Sequence, residues 1–225
     1  MSLTNIGLVE HAKMALKDKW GYVWGTYGNV LTETLFKQKL SQYPEGVGNY
    51  KGFIEEHWLN KRTADCVGLI KSFSWWQGDN PSYNAKTDVS ADSMYAIAKE
   101  KGPINIMPEI PGLCLWKKGH IGIYIGNGQV IEARGTKYGV IQSPLTGSGS
   151  AGWTHWLKCP FIEYQEEVKK YMSWKEILGK VASNPAQWEK AIETAKKAAK
   201  ADGNLGDLEI LQFLPELIEK IYNSK

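Results

Sequence analysis

Of the three cysteines in this chain, Cys66, Cys114 and Cys159, one stands where local structure can make a thiol reactive. Residues 65–76 read as a helix. Cys66, Leu69, Ile70, Phe73 and Trp76 recur at helical spacing, and Thr63 or Asp65 can cap the start. Cys66 then lies in the first turn. There, unpaired backbone N–H groups and the positive end of the helix dipole favour an anion. The thiolate is the nucleophilic form of cysteine, and a helix start lowers the thiol pKa toward it. The same N–H groups can hold a developing oxyanion. The competing reading is a small buried hydrophobe, as many free cysteines are. Cys114 and Cys159 alternate with apolar neighbours in strand-like runs and fit that description. The cysteines make no disulfide framework, and no Cys/His cluster has zinc spacing, so neither metal nor cofactor is expected.

The residues around Cys66 favour the chemical reading. Asp65-Cys66-Val67-Gly68-Leu69, preceded by Tyr22-Val23-Trp24-Gly25, resembles the Tyr-x-Trp-Gly … Asp-Cys-Ser-Gly-Leu signature of NlpC/P60 cysteine peptidases. The segment His120-Ile-Gly-Ile-Tyr-Ile-Gly126 resembles their His-Val-Gly-Ile-Tyr-Ile-Gly strand. The resemblance spans about residues 8–162. It implies a papain-like α+β fold, with the Cys-bearing helix packed on an antiparallel sheet. It also implies Cys66 as nucleophile and His120 as base. A third polar residue belongs twelve positions on, at Glu132, where many relatives carry His. Tyr22, Trp24 and Asp65 are implied beside the nucleophile as substrate-binding residues. Two departures stand out. Val67 replaces Ser, and about 40 residues separate Trp24 from Asp65, which reads as an inserted helical lid or wall.

Strand geometry tests Glu132 independently. A two-residue Asn127-Gly128 turn would set Ile123 opposite Glu132, mixing apolar and charged side chains on one face. A three-residue Gly126-Asn127-Gly128 loop sets Gly122 opposite Glu132 and His120 opposite Arg134. Ile121, Ile123, Ile131 and Ala133 then share the other face. Register follows such segregation. His120 becomes diagonal to Glu132, with Gly122 leaving room between them. Glu132 would then orient the imidazole. The competing reading of Glu132 is a solvated strand residue paired with Arg134. His155 is the alternative orienter. His11 and His57 read as surface or packing residues. Trp116, Trp153 and Trp156 could line a cleft and are left unassigned.

The positioning elements are legible around these residues. Residues 5–19 read as an amphipathic helix, 21–28 as a Gly/aromatic turn, and 31–40 and 51–60 as short helices. Residues 78–92 read as a loop and 91–100 as a helix stopped by Gly102-Pro103. Strands are expected at 113–116, 120–125, 129–134, 140–141 and 156–162. Helices followed by strands point to an α+β catalytic domain over 1–165. Residues 166–225 read as a three-helix module with capping boxes at Ser173 and Asn184, serving wall targeting or homo-oligomerisation.

The chain has 225 residues with 43% hydrophobic content, enough for a core. Its net charge of +3 suits an anionic polymer such as peptidoglycan and is too small to argue for nucleic acid. No apolar run approaches the roughly 18 residues of a membrane span, and no signal-peptide core is present at the N-terminus. The resemblance to NlpC/P60 peptidases implies a peptidoglycan hydrolase cleaving stem-peptide amides, often γ-D-glutamyl to a diamino acid, by a Cys-His-Glu thiol mechanism. A bacteriophage or prophage endolysin, made in the cytoplasm and released to the wall through a holin, fits it. The alternatives are an N-acetylmuramoyl-L-alanine amidase, an acyltransferase on the same fold, and a catalytically silent wall-binding or phage structural protein.

Overall fold

The computed structural model describes residues 3–165; the expected three-helix module, residues 166–225, lies outside the described residues. Helix α1 (Asn5–Lys17) starts at Thr4, whose Oγ1 accepts the Gly7 N–H at 3.1 Å. It turns Leu8, Ala12 and Ala15 into the core at i, i+4 and i+7. Strands β1 (Tyr27–Val30) and β2 (Arg62–Ala64) pair antiparallel. The long spacer between them holds α2 (Glu33–Gln42) and α3 (Lys51–His57). It closes over a small core of Val23, Leu31, Phe36, Val47 and Ile54.

Helix α4 (Cys66–Trp75) is buried along nearly its whole length, as a helix apolar on most faces must be. Asp65, not Thr63, is its N-cap; Thr63 lies in β2 with its hydroxyl buried and unpartnered. Trp76, expected to end α4, instead starts β3 (Trp76–Gln77), and the stretch expected as a loop contains β4 (Asn80–Pro81), which turns back on β3 as a short hairpin. Helix α5 (Ala91–Ile97) follows a Ser90 cap.

The remaining strands are β5 (Lys101–Pro103), β6 (Cys114–Lys117), β7 (His120–Gly126), β8 (Gln129–Gly135), β9 (Gly139–Pro144) and β10 (His155–Leu157). They form one antiparallel sheet in the order β5-β10-β6-β7-β8-β9. The fold is α+β. Ile121, Ile123, Ile131 and Ala133 face the main core, which they share with Leu8, Ala12, Leu69, Ile70 and Phe73. Leu113, Leu115, Tyr124, Val130 and Trp153 form a third cluster.

The hairpin between β7 and β8 corrects one expectation and keeps its consequence. The turn is the two-residue Asn127-Gly128, with φ of 53° and 69°, as such turns require. Gly126 pairs with Gln129, but an irregularity between Tyr124 and Gly126 shifts the register, so Ile123 faces Ile131. The strand body therefore reaches the segregated register through a bulge rather than a longer loop. Carried on by one pair, that register sets Gly122 opposite Glu132.

Candidate active site

Cys66 opens α4 because Asp65 holds the helix start. One Asp65 oxygen accepts the Gly68 N–H at 2.6 Å, and the other accepts the Gly25 N–H at 2.9 Å. One carboxylate thus caps α4 and ties the segment of Tyr22 and Trp24 to the nucleophile. Gly68 permits the close approach: a Cβ there would lie 2.0 Å from the Thr26 carbonyl oxygen. Asp65 is therefore first a positioning group, although it also borders the cleft.

Cys66 is 9% exposed, and α4 packs on β7. The N–H groups of Ile121, Val67 and Cys66 itself face the sulfur and favour a thiolate. Burial, with the Asp65 charge second, overrides them and pushes the thiol up to about 12. This corrects the expectation of a depressed thiol pKa. The helix start is present, but desolvation beside a carboxylate is the stronger effect. Because α4 packs on β7, which starts at His120, the Cys66 end of the helix lies against the strand that carries the histidine.

His120 begins β7, and its Nε2 lies 2.7 Å from the Glu132 Oε2. Glu132 is fully buried, not solvated. Its other oxygen accepts from the Ser143 hydroxyl at 2.5 Å and from the Arg134 guanidinium at 2.8 Å. Burial pushes the carboxyl up, but the His120 and Ser143 hydrogen bonds and the His120 and Arg134 charges outweigh it. The carboxyl is held below its usual range. An ionised carboxylate only accepts, so Nε2 carries the proton and a neutral imidazole keeps its lone pair on Nδ1.

Trp153 completes the arrangement. Its ring stacks on His120 with centroids 5.2 Å apart and planes 13° from parallel. A Cβ on Gly122 would lie 2.9 Å from this ring. The space expected between His120 and Glu132 is thus where the indole lies. Sequence reasoning left Trp153 unassigned because nothing local marks it, and Ser143 went unnoticed for the same reason. His155 does not take the orienting place: on β10 it bonds Thr154 and packs on Tyr95 and Trp116. His11 is a packing residue, bonded to the Ser72 hydroxyl at 2.7 Å among Trp20, Phe73 and Trp76. Cys114 and Cys159 are buried.

A cleft of about 820 Å³ opens at Cys66. Tyr22, Trp24 and Asp65 border it, as do Gln38, Lys39 and Gln42 of α2. The spacer is therefore a wall of the cleft. Tyr22 is buried with its hydroxyl held protonated chiefly by that burial, whereas Trp24 is 49% exposed. Among the described residues, no group of three or more His, Cys, Asp or Glu side chains could hold a metal ion. Among them, too, no helix is long and apolar enough to cross a membrane.

No family model and no curated protein matches this chain. Similar solved structures include the peptidoglycan hydrolase RipB from Mycobacterium tuberculosis, at 21% identity and a TM-score of 0.36 over 71% of this chain and 67% of that one. The P60 domain of antigen MAP1204 from M. avium subspecies paratuberculosis is similar at 22% identity and a TM-score of 0.37, over 71% of this chain and 98% of that one. NlpC2 from Trichomonas vaginalis is similar at 19% identity and a TM-score of 0.34, over 68% of this chain and 47% of that one.

Proposed function

We propose that the chain is a cysteine-nucleophile peptidoglycan hydrolase of the NlpC/P60 type, cutting amide bonds of wall stem peptides. The observation that carries this reading is the joint placement of the groups. Cys66 opens a buried helix that packs on β7, the strand that His120 starts, and His120 is held through Nε2 by a buried, ionised Glu132.

The resting thiol is neutral, so attack requires a base at the moment of reaction. His120 Nδ1 takes the sulfur proton as sulfur bonds to the carbonyl carbon. The carbonyl π electrons move to oxygen, and N–H groups at the α4 start stabilise that oxyanion. Glu132 stabilises the imidazolium. Nδ1 then gives the proton to the amide nitrogen, the C–N bond breaks, and the amine leaves. Water, losing a proton to Nδ1, attacks the thioester; the C–S bond breaks, Nδ1 returns that proton to sulfur, and the carboxylic acid product departs and ionises in solvent. Tyr22, Trp24 and Asp65 border the cleft where the peptide would lie.

The test is a digest of purified peptidoglycan by wild type and Cys66→Ala, with products identified by mass spectrometry. New stem-peptide termini from wild type alone support an endopeptidase. Whole stems released from the sugar would mean an amidase. No products across several wall chemotypes would sink the hydrolase reading. Its finer form, an endolysin, predicts that Gram-positive cells expressing the chain lyse only when a pore-forming holin is co-expressed.

A further inference from the structure

Of the two lysines that line the cleft, Lys71 is paired with Asp88, and Lys39 makes no ion pair among the described residues. The carboxylates of the cleft already have donors. Asp65 accepts two backbone N–H groups. Asp88 accepts from Lys71 and from the Tyr83 hydroxyl. Asp92 is paired with Lys118 at 2.7 Å and accepts from the Trp116 indole and the Gly119 N–H. Lys39 differs. It lines the cleft from α2, is 8% exposed, and among the described residues makes no ion pair. Its Nζ donates to the Gln42 Oε1 at 3.0 Å and stands 5.8 Å from the Tyr43 ring centroid. Burial lowers its pKa, Asp65 and Asp88 oppose that, and Lys71 adds to it, leaving the net shift downward.

A buried ammonium with only neutral partners is costly until an anion joins it. Among the described residues the neighbouring acids are engaged elsewhere, and a peptide lying in the cleft can bring the missing anion to Lys39. We propose that Lys39 is a specificity-determining residue that binds a carboxylate of the substrate peptide. This rests on the hydrolase reading of the same cleft. Lys39 belongs to the long spacer between Trp24 and Asp65, so the preference is built by this chain's own wall rather than by the signature around Cys66.

The test uses two synthetic peptides, both C-terminally amidated. One is N-acetyl-L-alanyl-γ-D-glutamyl-L-lysine with its glutamyl α-carboxylate free; its twin carries a primary amide there. Wild type should cleave the free acid with a kcat/KM roughly ten- to a hundredfold higher, the worth of one hydrogen bond to a charged group. Lys39→Gln should bring the acid down to the level of the twin, and Lys39→Arg should keep most of the preference. A wild-type ratio near one, or an equal fall on both peptides in Lys39→Gln, would overturn the proposal. If wild type cleaves neither peptide, the wall digest alone decides the hydrolase reading, and calorimetric binding to Cys66→Ala with and without Lys39→Gln decides this one. Tighter binding of the acid that depends on Lys39 supports the site. Equal binding of both peptides, or none, overturns it.

Discussion

The Nε2 of His120 and the Oε2 of Glu132 stand 2.7 Å apart, and the carboxylate is fully buried behind the imidazole. Ser143 and Arg134 engage its second oxygen, so both Glu132 oxygens have donors. A carboxylate satisfied this way can stay ionised out of water and fix one tautomer of its histidine.

Glu132→Gln is the sharpest probe of that pair. A carboxamide must turn its NH₂ toward His120 or toward Ser143 and Arg134, setting donor against donor on one side. Activity on peptidoglycan should fall on the order of a hundredfold or more. Retention within about threefold would show that Glu132 does not orient the base.

Cys66 should alkylate slowly near neutral pH. Its thiol is pushed up to about 12, chiefly by burial and secondarily by Asp65. The rate with iodoacetamide should keep rising with pH past 9, because the thiolate fraction still grows there. A plateau beginning near pH 6 would mean a preformed thiolate–imidazolium pair and would refute the neutral resting thiol.

Trp153 positions His120 through its stacked ring. Trp153→Ala should cost about 3–5 kcal/mol of stability, because a largely buried indole leaves a cavity. Trp153→Phe should fold more stably than that and keep a flat face on the imidazole. Its kcat should stay closer to wild type, with the pH–rate profile displaced if the stack tunes the base. A kcat in Trp153→Phe as low as in Trp153→Ala, with an unchanged pH profile, would reduce the indole to packing.

His11 makes the fold acid-sensitive. Burial lowers its pKa from 6.5 to about 4. Between those values the unfolded chain binds the proton more readily than the folded one, so stability rises with pH across this window. Full stability is present above about 6.5 and is lost as pH falls toward 4, by roughly 3 kcal/mol. Urea unfolding midpoints of wild type and His11→Gln between pH 7 and 4 check this. The variant should lose most of the slope, and an unchanged slope would place the acid sensitivity elsewhere.

Much of the site was legible locally. Cys66 at a helix start and Asp65 as a cap follow from short-range spacing, and helix periodicity and capping are themselves short-range effects. The strand pair His120–Gly126 and Gln129–Gly135 was legible from alternation. Its register followed because one face had to be apolar, although the chain achieves it with a bulge that no composition rule announced. The pairing of β1 with β2 and the edge strand β5 were not legible. These strands are short, and partners distant in sequence define them.

The sequence by itself determined which groups could react and which elements would carry them, because capping and periodicity act over a few residues. Only the tertiary structure decided their chemical state. Burial of α4 against β7 protonates Cys66, and the three donors around Glu132 keep it ionised against its own burial. The packing that lays Trp153 over Gly122, and the α2 wall that lines the cleft with Lys39, join residues far apart in the chain. Desolvation and stacking depend on what surrounds a group in space, and no local pattern encodes that.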